Sequence, residues 1–170
     1  MAAAPPPVSG QLRWRLAFSV LGVAVGVLVA YGAVQLDDVR SARALDRARS
    51  EALQAADHIV VGVTSMSAAT GDRDVKALLT SATGSFREQF SQQATTFEQV
   101  LKQSNVTSIG KVVEAGIVTA DRHKAAVLTA VTATVKNSAA PTGEQRVYRM
   151  LVSLELTRGR WLVSGLEFVA

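Results

Sequence analysis

A chain of 170 residues, 48% hydrophobic and 19% charged, has room for one domain of ordinary size and a short appendage, and is more apolar than an ordinary soluble domain. It has no cysteine and two histidines, His58 and His123, which excludes a disulfide scaffold, a thiolate metal site and a cysteine nucleophile and leaves little for another metal centre. The formal charge of +4 is dispersed: from Asp37 onward 16 Lys/Arg face 14 Asp/Glu without a run of like charge, so nucleic acid is not an expected partner.

Residues 1–11 (MAAAPPPVSGQ) read as a short disordered tail. Residues 12–36 are the expected transmembrane helix. From Leu16 to Leu36 there are 21 residues without a charge, and a span needs about 20. Arg13, Trp14 and Arg15 on one side and Tyr31 on the other are the expected interface anchors. A cleavable signal peptide, with Ala30-Tyr31-Gly32 as a weak cleavage site, is the rival reading, but signal-peptide apolar regions run about 7–15 residues. Arg40, Arg43, Arg47 and Arg49 follow the span and oppose the positive-inside preference. A first and only span followed by a long domain still favours a cytoplasmic N-terminus, an inner-membrane anchor and an extracytoplasmic domain over 37–170. Gly22, Gly26 and Ala30 share one helix face, a spacing that permits close packing by another membrane helix.

Beyond the span, Val39, Ala42, Leu45, Ala48, Ala52, Ala55, Ile59, Val63 and Met66 recur at spacings of three and four. This predicts an amphipathic helix over about 37–69 with its arginines on the solvated face. A second helix is predicted over 72–80 after Gly71, through Val75, Leu78 and Leu79. Ser85 and Glu88 fit a capping box opening a third helix over 85–103. Phe86, Phe90, Phe97 and Leu101 mark its buried stripe, with Ala94 on the same face. Three of the five phenylalanines stand here, so this helix is expected to close the open end of the fold.

From Val106 the period drops to two. Strands are predicted over 108–118, 123–136, 145–156 and 160–169, joined at Asp121-Arg122, Asn137–Gly143 and Arg158-Gly159. Tyr148, Met150, Val152, Leu154 and Leu156 fall on one face of the third strand. Thr129, Thr132 and Thr134 on the second suggest a polar outer face. Short connections make the four strands an antiparallel meander, and the upstream helices are the available cover. The predicted class is α+β: a transmembrane helix, then three helices and a curled four-stranded antiparallel sheet in the order of the nuclear transport factor 2-like cone.

The chain resembles the Mce-associated membrane proteins, single-span accessory proteins of actinobacterial mammalian-cell-entry (Mce) lipid importers. The resemblance spans roughly residues 12–170. It rests on the basic anchor, Leu78-Leu79 followed by Thr83-Gly84-Ser85-Phe86, the stretch VVEAGIVTADRHKAAVLTAVTATVKNS, and the closing RVYRMLVSLELTRGRWLVSGLEFVA. It implies a nuclear transport factor 2-like domain that stabilises or assembles the transporter at the cell envelope. The implied partners are the permease, the substrate-binding subunits or sibling associated proteins. The plan is also similar to the periplasmic assembly proteins of type IV secretion systems.

No catalytic motif accompanies the resemblance, and the chain carries no H-E-x-x-H, G-x-S-x-G, phosphate-cradling loop or dinucleotide fingerprint. Asp57 and His58 are adjacent on a predicted helix and do not face each other; His123 falls in a predicted turn. No enzyme activity, cofactor or metal is expected. The expectation is a non-enzymatic accessory subunit of an Mce-type lipid or sterol importer. An assembly component of a type IV secretion-like machine is the alternative, as is an envelope lipid-binding protein.

Overall fold

The computed structural model describes residues 42–169. The expected tail at 1–11 and membrane helix at 12–36 lie outside the described residues, and with them Arg13, Trp14, Arg15, Gly22, Gly26, Ala30 and Tyr31. Among the described residues no helix is long and apolar enough to cross a membrane.

Helix α1 occupies residues 42–64. Ala48, Ala52, Ala56, Ile59 and Val60 recur on one face and are buried, and the alanines let the helix axis lie close to the strands it covers. The helix expected to run to 69 ends at 64. Residues beyond it leave the helix to pair with the start of the first strand: the Ser108 amide donates to the Met66 carbonyl at 2.8 Å and the Ala68 amide to the Val106 carbonyl at 2.7 Å. Met66 is therefore buried from an extended segment, not from the helical stripe on which its spacing placed it.

Helix α2, Gly71–Thr80, buries Val75 and Leu78. Helix α3, Gly84–Gln103, buries Leu101. An exposed ion pair at 2.6 Å joins Lys102 of α3 to Asp72 of α2. The expected Ser85–Glu88 capping box does not form. The helix starts one residue earlier, with Thr83 in an extended conformation as its N-cap and no side-chain cap hydrogen bond. Thr83 is held there because its amide donates to the Val163 carbonyl at 2.8 Å.

Strands β1 (Thr107–Ala120), β2 (Lys124–Lys136), β3 (Glu144–Thr157) and β4 (Arg160–Phe168) form one sheet in sequence order, every neighbour antiparallel. Among the described residues the α+β class, with three helices and a four-stranded antiparallel meander, thus stands as read from the period. Arg158 and Gly159 take φ of 51° and 75°, the left-handed conformations that close a two-residue hairpin.

The inner face of the sheet meets α1, and Val127, Val131, Met150, Val152 and Val163 are fully buried there. Each such side chain contributes roughly 1.5–3 kcal/mol of transfer free energy. Thr129 corrects one expectation. It lies on this inner face, not the outer one, and its hydroxyl donates to the Met150 carbonyl at 3.2 Å. A strict period of two along β1 would turn Glu114, Gly116 and Val118 inward. Register shifts at Val113 and Val118 reset the alternation, so Val112, Ala115 and Ile117 pack against the core.

Candidate functional site

Two features of the described residues suit a function: a cavity under the helices and the uncovered face of the sheet. The cavity, about 350 Å³, lies between the end of α1, the phenylalanine face of α3 and the inner side of β3 and β4. On α3, Phe86 and Phe90 stack with centroids 6.1 Å apart, and Phe97 meets Phe90 edge-on at 6.0 Å. Tyr148 of β3 and Phe168 of β4 form a second edge-on pair at 5.9 Å. Val63, Met66, Leu78 and Leu166 complete the apolar wall. Two aliphatic hydroxyls also line it beside the Tyr148 phenol, and both are engaged by the protein: Thr64 donates to the Val60 carbonyl at 2.7 Å and Ser108 to the Thr64 carbonyl at 2.6 Å. Of the α3 stripe read as closing the fold, Leu101 is buried while the three phenylalanines stay half-buried, their rings forming the wall of an open space.

The outer face of the sheet carries the other feature. Ile109, Val113, Val118 and Val147 are each more than half exposed, and Leu128 is 43% exposed. Leu128 stands directly across from Leu151 on β3 and Gly116 on β1, so Val118 and the two leucines lie near one another on this face. The two bulged residues of β1, Val113 and Val118, are apolar and point outward. Sequence spacing gave no signal for this, because a bulge is a property of pairing.

The sheet edges are less available. Beside the contacts of β1 with residues 66–68, the outer edge of β4 is met by a parallel bridge of Ala82 with Val163, where the Val163 amide donates to the Ser81 carbonyl at 2.8 Å. Segments outside the sheet thus cap part of each exposed edge.

The candidate acid–base groups lie elsewhere. Asp57 and His58 are exposed on α1. His58 shares a depression of about 120 Å³ with Asp74, whose Oδ2 already accepts from the Thr70 hydroxyl at 2.6 Å. His123 is exposed in the β1–β2 turn. There Asp121 Oδ1 accepts from the His123 and Lys124 amides, both at 2.7 Å, and these bonds, the His123 one foremost, hold its carboxyl below the ordinary carboxylate range. A depressed pKa in the folded state contributes stability above the unfolded value and loses it as pH falls through the folded value. Asp121→Ala should therefore speed amide exchange at His123 and Lys124 at neutral pH. The protection of these two amides in the wild type, taken relative to their intrinsic exchange rate at each pH, should fall to that of the variant only in acid, as followed by hydrogen-exchange NMR. Equal exchange in the two proteins at neutral pH would show that the carboxylate does not hold the turn.

The family model described as "Uncharacterized protein Rv1363c/MT1408-like" matches residues 16–170. The chain belongs to the Rv1363c/MT1408-like family. The Rv1363c protein of Mycobacterium tuberculosis (strain ATCC 25618 / H37Rv) is 36% identical over 110 residues, covering 65% of this chain and 42% of that relative. This family member therefore spans less than half of the relative's length. Among solved structures, an IcmL-like type IV secretion system protein from Legionella pneumophila superposes with a TM-score of 0.59 at 10% identity, over 71% of this chain and 91% of that one. The periplasmic domain of DotI gives 0.57 at 10% identity, over 69% and 91%. At such identity the likeness is one of fold.

Proposed function

We propose that this Rv1363c/MT1408-like chain is a non-enzymatic accessory subunit that stabilises or assembles an envelope complex, namely an Mce-type lipid or sterol importer. In this reading the described unit is a nuclear transport factor 2-like cone held outside the inner membrane. Residues 12–36 form the anchor, Arg13, Trp14, Arg15 and Tyr31 sit at its interfaces, and the N-terminus is cytoplasmic. The supporting observation is the outer sheet face, where Val113, Val118, Leu128 and Val147 stand exposed. Grouped apolar side chains on a surface favour a protein partner. The partners proposed are the permease, the substrate-binding subunits or sibling associated proteins, with Gly22, Gly26 and Ala30 packing against a neighbouring membrane helix.

A second reading, an assembly component of a type IV secretion-like machine, is favoured by the fold likeness to the IcmL-like protein and to DotI. Affinity capture of the tagged chain in mild detergent, with mass spectrometry of what is retained, separates the two. Permease, ATPase and Mce subunits are the expected result; secretion ATPases would support the second reading. Val118→Asp/Leu128→Asp should lower recovery at least tenfold, equivalent to about 1.4 kcal/mol, with an unchanged melting temperature. Gly26→Leu should loosen retention through the membrane segment. Full recovery with the double aspartate variant would remove the sheet face from the interface.

A further inference from the structure

The cavity behind the α3 phenylalanines supports an inference independent of the accessory role. We propose that it binds a single-chain amphipath, with an acyl chain of roughly 14 carbons inside and an anionic head group at Arg146. The wall decides what enters. The Thr64 and Ser108 hydroxyls are engaged with backbone carbonyls, and the rest of the lining is aliphatic or aromatic apart from the Tyr148 phenol. A buried water needs about 2–4 polar partners. The interior offers too few, so hydrocarbon displaces water there at little cost.

Volume narrows the class. A cavity of about 150 Å³ is known to hold benzene, six carbons. At the same packing the 350 Å³ found here takes roughly 14 carbons. A sterol of about 27 carbons would need roughly 680 Å³ on this scale, and a two-chain phospholipid more, so about half or more of either would stay outside the mouth.

The open side supplies the charge. Tyr148 is half-buried and Phe168 is 65% exposed, so their ring pair sits at the mouth. Arg146 stands two residues before Tyr148 on the same face of β3, across from the buried Ala133 of β2. Its side chain is half exposed, and Glu144 accepts from one guanidinium nitrogen at 3.1 Å. A guanidinium has five N–H donors, which leaves donors for a carboxylate or phosphate.

The test uses the whole chain in lipid nanodiscs and a myristate analogue bearing a diazirine near its chain end. On irradiation the label should fall on peptides containing Phe86–Phe97, and excess unlabelled myristate should compete it away. Leu166→Phe, which fills the cavity from β4, should cut labelling at least fivefold; Val63→Phe fills it from α1 should the first variant fail to fold, and melting temperature reports folding in both. Arg146→Gln should weaken labelling by the carboxylate probe and leave the corresponding alcohol probe unchanged. Label on peptides of the outer sheet face, or undiminished label in a folded cavity-filled variant, would overturn the site. Equal labelling of Arg146→Gln by the carboxylate probe would overturn the head-group assignment. Neither readout depends on the complex captured with the chain.

Discussion

Gly110→Ala should destabilise the domain by about 3 kcal/mol, at the upper end of the usual cost of overpacking. Gly110 sits in β1 where the strand passes the last turn of α1. A Cβ built there would overlap the Thr64 hydroxyl, lie 2.5 Å from the Thr64 Cβ and come within 3.2 Å of its backbone carbonyl carbon. The neighbours cannot yield. Ser65 Oγ accepts from the Gly110 amide at 2.9 Å, and the Ser108 hydroxyl holds the Thr64 carbonyl at 2.6 Å. Relief requires moving helix and strand apart and breaking both bonds. Differential scanning calorimetry should show a fall of roughly 10 °C in melting temperature for a domain of this size. Gly116→Ala is the control: nothing lies within 4 Å of its Cβ position, and its effect should stay within about 0.5 kcal/mol. Equal effects at the two glycines would mean that the α1–β1 approach is not tight.

Met150→Ala should cost about 2–5 kcal/mol, the range for removing a long buried side chain and leaving a cavity. Met150 is fully buried at the centre of β3, in the cluster that joins Val60 of α1 to Val127 and Val131 of β2. The sheet on one side and α1 on the other limit collapse into the space. The hydrogen bond from Thr129 goes to the Met150 backbone and survives truncation, so the loss is one of packing. Urea unfolding should shift its midpoint at constant slope, and Met150→Leu should cost less than about 1.5 kcal/mol. A cost below 1 kcal/mol for alanine would show that the core relaxes around the gap.

Most of the fold was legible because its elements have strong local periods. The alanine face of α1 and the alternation in β2 and β3 need no tertiary information. Legibility failed where a long-range hydrogen bond outcompeted a local preference. Residues 65–69 continue the helical spacing, yet β1 offers Met66 and Ala68 partners that a final helical turn could not match. Ser85 and Glu88 have the right types for a capping box, but Thr83 is anchored to β4 and sets the helix start. Thr129 reads as a surface threonine, yet it is buried, because a hydroxyl with a backbone acceptor beside it can be buried cheaply. The site was less legible. The phenylalanine stripe was visible, but not that its rings would line a space instead of filling one.

For the described residues, the residue types and their spacing determined the α+β class, the three helices, the meander order and the inward face of β3, because burial of an apolar face follows from a period that neighbouring residues carry. Only the tertiary structure decided the two bulges of β1, the pairing of loop segments with the sheet edges and the volume left between α3 and the sheet. Each of these depends on how surfaces distant in sequence meet. A cavity is the mismatch between two such surfaces, and no single segment encodes it.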